Sequence, residues 1–142
     1  MRARGFRRIL EAMKLVGMLL TLLGLMVSAN AELPPSAYLQ MQEGASEKIE
    51  IKVEAVKHQH IFRKQEWVSA VVTKVMKSAS KLKVGDKIEI KYRHEPLRGA
   101  VGPSPIPKLD KGKSYPAWLR KTKEGHFEPA ARGMSFEKID KR

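Results

Sequence analysis

His58-Gln59-His60 places two imidazoles on one face of an extended segment. Side chains alternate along a strand, so this spacing suits a divalent cation. A structural zinc needs four ligands, and a catalytic one needs three plus water. Glu54, Glu66, His94 and His126 could complete such a set only through tertiary contacts. The competing reading is a pair of solvated strand-end histidines. No His-Glu-x-x-His motif is present. The chain contains no cysteine, which removes thiol nucleophiles, thiolate-bound zinc and iron–sulfur clusters together. Ser104 lies in Gly102-Pro103-Ser104-Pro105 and lacks the Gly-x-Ser-x-Gly elbow of a serine nucleophile. Glu50, Glu54 and Glu89 alternate with lysines, so cross-strand ion pairing accounts for them better than acid–base catalysis. The chain therefore reads as non-enzymatic and without a cofactor, with His58 and His60 as the metal-binding alternative, either as a metal-binding protein or as a metal-dependent hydrolase.

Charge is the broader signal. Twenty-eight Lys and Arg against 15 Asp and Glu give a net charge of +13 over 142 residues. Lys87, Lys91, Arg93, Arg98, Lys108, Lys111, Lys113 and Arg120 crowd the C-terminal two-thirds. With Trp118 among them, and Tyr92 nearby, they form the candidate surface for an anionic partner, held by charge plus stacking. A generally basic, solvated surface is the competing reading.

The N-terminal residues set the address. Arg2, Arg4, Arg7, Arg8 and Lys14 precede the uncharged apolar run Leu15–Val27, and Ala29-Asn30-Ala31 follows. This is the signal-peptide pattern, and the run falls short of the about 20 apolar residues of a membrane span. Cleavage near Ala31 is expected to release a periplasmic or secreted protein with no stable membrane span. An uncleaved anchor is the alternative. Export makes nucleic acid an improbable natural partner and turns attention to anionic glycans, lipid phosphates and acidic envelope proteins.

Residues 32–47 read as a lead-in segment. Ser36 is a candidate N-cap for a short helix through Gln42, ended by Gly44. Residues 48–142 read as the folded domain. Lys48–His58 is a strand in which Ile49, Ile51 and Val53 alternate with charged residues, and a bulge near Ala55-Val56 resets the phase. Trp67–Lys77 is a β-branched strand. Leu82-x-x-Gly85-Asp86 then turns into Ile88-x-Ile90-x-Tyr92. Glu95–Lys108, with four prolines and two glycines, is a long loop. Leu109-x-x-Gly112-x-x-Tyr115 repeats the spacing of Leu82-x-x-Gly85-x-x-Ile88 and opens a fourth strand. Pro116 places that strand at an edge or a bulge. Lys121–Gly125 is a hairpin turn, His126–Pro129 a returning strand, and Met134–Ile139 a closing segment with Phe136 and Ile139 apolar.

The expected fold is all-β. It is a small five-stranded barrel of the oligonucleotide/oligosaccharide-binding (OB) type with a long Pro-rich loop, preceded by the signal-peptide helix over 1–31. The valine-rich second strand, the two Leu-x-x-Gly turns, Gly125-x-Phe127 and Phe136 resemble the cysteine-free bacterial relatives of the netrin-like domain. That domain shares the OB barrel of tissue inhibitors of metalloproteinases. The resemblance implies the fold and no inhibitory residue, because inhibition in those proteins works through an N-terminal cysteine absent here. The expected role is an exported binding or interaction module with a basic face for an acidic polymer or envelope protein. Its oligomeric state is not encoded in any motif.

Overall fold

The computed structural model describes residues 32–59, 65–94 and 104–139. His60, Arg98 and the 1–31 segment lie outside them. Five strands run in chain order: β1 (Glu47–Gln59), β2 (Gln65–Ser78), β3 (Lys87–Arg93), β4 (Ser114–Lys121) and β5 (Phe127–Pro129). They close into a barrel in the order β1-β2-β3-β5-β4. All neighbours are antiparallel except β3 and β5, which pair in parallel through Ile90 and Phe127. This closed five-stranded arrangement is an OB-like barrel. No helix among the described residues is long and apolar enough to cross a membrane.

Period-two alternation builds the core. Along β2 the even residues Val68, Ala70 and Val72 are buried, and along β3 so are Ile88, Ile90 and Tyr92. Ile49, Ile51 and Val53 meet them from β1, and Ala117 and Leu119 from β4. Phe127 and Phe136 complete the same cluster. The β1–β2 register shifts between Val53 and Ala55, where the apolar phase of β1 changes. Two further shifts, at Lys48/Ile49 and Glu50/Ile51, coil the long hairpin around the core. β5 covers only Leu119–Lys121 of β4, so at Pro116 that strand has β1 on one side and no described strand on the other.

The two Leu-x-x-Gly turns are structural equivalents. Gly85 (φ 94°) and Gly112 (φ 85°) both adopt the left-handed conformation that glycine permits without strain. The Gly85 N–H donates to Val72 O at 2.8 Å, and the Val72 N–H donates to Asp86 O at 2.9 Å. In the same way the Gly112 N–H donates to Val53 O at 2.8 Å, and the Val53 N–H donates to Lys113 O at 2.9 Å. Each turn therefore locks a strand entry onto a core valine of a neighbouring strand.

The lead-in forms helix α1 (Pro35–Gly44). Its N-cap is Pro34, not Ser36, and no side chain caps it. Pro35 takes the first helical position, where its missing N–H is lost from no hydrogen bond. The helix is held to the barrel by Gln42, whose amide donates to Met134 O at 2.7 Å and to Glu137 O at 2.8 Å. Those acceptors belong to a 3₁₀ turn over Arg132–Phe136 and its exit, where the sequence pattern leads one to expect only a closing segment.

The end of the Pro-rich stretch, Ser104–Leu109, is a strap pinned at several points. Glu32 Oε1 accepts hydrogen bonds from the Tyr38 hydroxyl at 2.8 Å and the Ser104 hydroxyl at 2.9 Å. These bonds hold the Glu32 carboxyl below its usual range, with the Tyr38 contribution the largest. The Tyr92 hydroxyl donates to Pro107 O at 3.1 Å. Gly133 packs so closely on this strap that an added Cβ would lie 2.8 Å from the Ser104 carbonyl carbon. A side chain there would have to displace backbone.

Candidate anion-binding face

Residues that alternate away from the core form the outer surface of the sheet. On β3 these are Lys87, Glu89, Lys91 and Arg93, and on β2 they include Trp67 and Ser69. Lys91 Nζ sits 4.5 Å from the Trp67 ring centroid, a cation–π contact across the β2–β3 pair that joins these two residues. The His126 ring lies 6.3 Å from the same indole, tilted by 45°. His126 comes from the β4–β5 turn, which Gly125 (φ 93°) allows to reverse tightly. No acceptor among the described residues meets the buried Trp67 indole N–H.

These residues line an open groove of about 560 Å³ together with Lys87, Glu89, Lys121 and Glu124. A second cleft of about 460 Å³ shares Lys91, Glu124 and His126 and adds Arg93 and Glu128. A third, of about 460 Å³, shares Trp67 and Glu89 and reaches His58 and Ser69. The groove shares residues with each of the other two, so the three adjoin in a row along the face from β1 to β5 and form its furrow. In OB barrels the β2–β3 surface and the β1–β2 and β4–β5 loops are where extended ligands bind.

The furrow carries both signs of charge. Lys57, Lys87, Lys91, Arg93 and Lys121 are its cations, and Glu89, Glu124 and Glu128 its anions. The Glu124 carboxyl is held below its usual range by its own backbone N–H, then by the Thr122 hydroxyl. It therefore stays ionised at the rim. Two of the outward-facing lysines of β2 and β3 are already paired. Lys87 lies 3.4 Å from Glu54, and Lys74 lies 3.9 Å from Glu50. These are the cross-strand Glu–Lys contacts that the alternation implied.

The other candidates disperse. Lys108 and Lys111 are exposed on the strap and the turn that follows it. Lys113 lies 2.7 Å from Asp110, whose hydrogen bond raises the ammonium pKa. Arg120 lies 3.6 Å from Glu128 across the β4–β5 pair. Trp118 lines a different cleft, of about 320 Å³, beside Leu39 of α1 and Ile139. Tyr92 points into the barrel at 5% exposure and offers no stacking surface. The aromatic that does accompany the β3 lysines is Trp67. Its signal in the sequence is a tryptophan in odd phase on a strand whose even phase is the core.

The histidines also separate. His58 Nδ1 lies 2.5 Å from Glu66 Oε2, and the Glu66 side chain is only 6% exposed. His94 Nδ1 donates to Ile106 O at 2.9 Å. His126 Nε2 lies 3.9 Å from Glu128. Among the described residues no three His, Asp or Glu side chains gather as metal ligands. No family model matches this chain, and no curated protein matches it either.

Proposed function

We propose that the barrel is an exported, non-enzymatic binding module that takes an acidic partner along the furrow over β2, β3 and β5. The observation that carries this reading is the line of cations Lys87, Lys91 and Arg93 on β3: Lys87 and Lys91 line an open groove with Lys121 and Trp67, and Arg93 lines the cleft that shares Lys91. Focused positive charge in a concave surface raises the local concentration of anions and speeds their capture. The basic, apolar and Ala-x-Ala segments of residues 1–31 support export, which points to an anionic glycan, a lipid phosphate or an acidic envelope protein. The finer kinship, a cysteine-free netrin-like domain, is supported by the two Leu-x-x-Gly turns and bears on fold alone.

The purified domain is expected to be retained on a heparin-like or DNA resin at low salt and to elute as salt rises, with affinity falling linearly in log salt. Lys91→Ala is expected to shift elution to lower salt. Flow-through of the unaltered protein at low salt overturns the proposal.

One observation favours a second reading. Buried Glu66 against His58 Nδ1 is the carboxylate–imidazole arrangement that orients metal-binding histidines. On that reading, protein purified without chelators carries a stoichiometric transition metal that is lost in His58→Ala. A substoichiometric metal content removes it.

A further inference from the structure

We infer that the furrow takes an acidic glycan, with a sugar ring against Trp67 and its carboxylate or sulfate on Lys91. This rests on the binding role proposed above and narrows it to one ligand chemistry. Lys91 Nζ lies over the indole ring, 4.5 Å from its centroid, so a positive charge is held against the aromatic face and must move aside to its edge when a sugar ring takes that face. An acidic sugar presents that same pair: a flat apolar patch of ring C–H groups and an anionic substituent at its edge. The half-buried indole offers the apolar patch its contact, and such contacts gain dispersion energy over many atom pairs.

The negative charges decide against a bare polyanion. Glu89 and Glu124 line the same groove as Lys87, Lys91 and Lys121. Glu128 lies just beyond, in the cleft that shares Lys91. A chain bearing phosphate at every unit would bring like charges against these carboxylates. A glycan brings hydroxyl groups, which donate to carboxylates in charge-assisted hydrogen bonds. A mixed-sign groove with a tryptophan at its centre therefore fits a ligand that is anionic, hydroxylated and ring-bearing at once.

The test compares a uronic-acid oligosaccharide with a linear polyphosphate of equal charge, at one low salt concentration, by calorimetry. The uronate is expected to bind about tenfold more tightly, as one ring stacked on an aromatic side chain contributes. Trp67→Ala is expected to remove that advantage and leave polyphosphate binding unchanged. Trp67→Phe, which keeps a ring and covers the case of a destabilised alanine variant, is expected to retain most of it. Glu89→Gln with Glu124→Gln is expected to tighten polyphosphate and not the uronate. Equal or tighter binding of polyphosphate by the unaltered protein overturns the glycan assignment and leaves the acidic-partner reading standing. Failure of both probes to bind overturns both.

Discussion

Replacing Glu47 with alanine is expected to destabilise the barrel by about 3 kcal/mol, because it removes the acceptor of a buried network and strands its donors. Glu47 is fully buried at the start of β1. Its carboxylate accepts from the Ser78 hydroxyl at 2.5 Å, the Ser80 hydroxyl at 2.8 Å and the Ser80 N–H at 3.1 Å. Ser78 in turn accepts the Leu82 N–H at 2.9 Å. One side chain therefore organises the connection from β2 to the Gly85 turn, including Lys81, which sits at a φ of 60°. For a domain of this size the loss corresponds to a fall in melting temperature of about 15 °C. Glu47→Gln keeps one acceptor oxygen and is expected to fall much less. Thermal melts of the two variants check the order, and an unchanged Glu47→Ala melting temperature contradicts the assignment.

Raising the pH from 10 to 12 is expected to remove about 2 kcal/mol of stability through Tyr92 alone. Burial pushes its hydroxyl up to about 12, and the nearby Glu66 charge adds to the shift. The group is an acid whose neutral form the barrel interior favours. With a folded pKa above the unfolded 10, its contribution is complete below pH 10 and is lost as the pH climbs through 12. Denaturant titrations across that window measure the slope. Tyr92→Phe loses the hydrogen bond to Pro107 but removes the ionisation, so its pH dependence is expected to flatten relative to the unaltered protein. Identical slopes in the two proteins would refute the assignment.

How far the sequence carries depends on whether a feature is local. Alternation at Ile49–Val53 and Ile88–Tyr92 fixes which side of each strand is wet, so the strands and their core were legible. The repeated Leu-x-x-Gly spacing marks two equivalent turns, because a left-handed glycine three residues before an inward side chain is a local requirement. Register is not local. Glu66 lies just before the strand read from Trp67 to Lys77, yet pairing with His58 extends β2 back over it and buries the carboxyl. Glu47 reads as the end of a lead-in, although serines from the far end of β2 enclose it. Trp67 and His126 are 59 residues apart in the chain and meet only because β5 returns beside β3. Trp118 has the right chemistry for the candidate anion-binding face, but β4 delivers it beside Leu39 of α1.

The barrel's closure has a weak point with a consequence for binding. β3 and β5 meet through a single residue pair, Ile90 and Phe127, whereas β1 and β2 are paired along almost their full lengths. A cylinder opens first where its seam is shortest, and such partial openings dominate the low-energy fluctuations of a domain. The furrow lies across this seam, with Lys91 on one bank and His126 on the other. A ligand that grips both banks acts as a clasp. Its affinity and the closing of the cylinder are then two measures of one equilibrium, so whatever loosens the seam also releases the ligand.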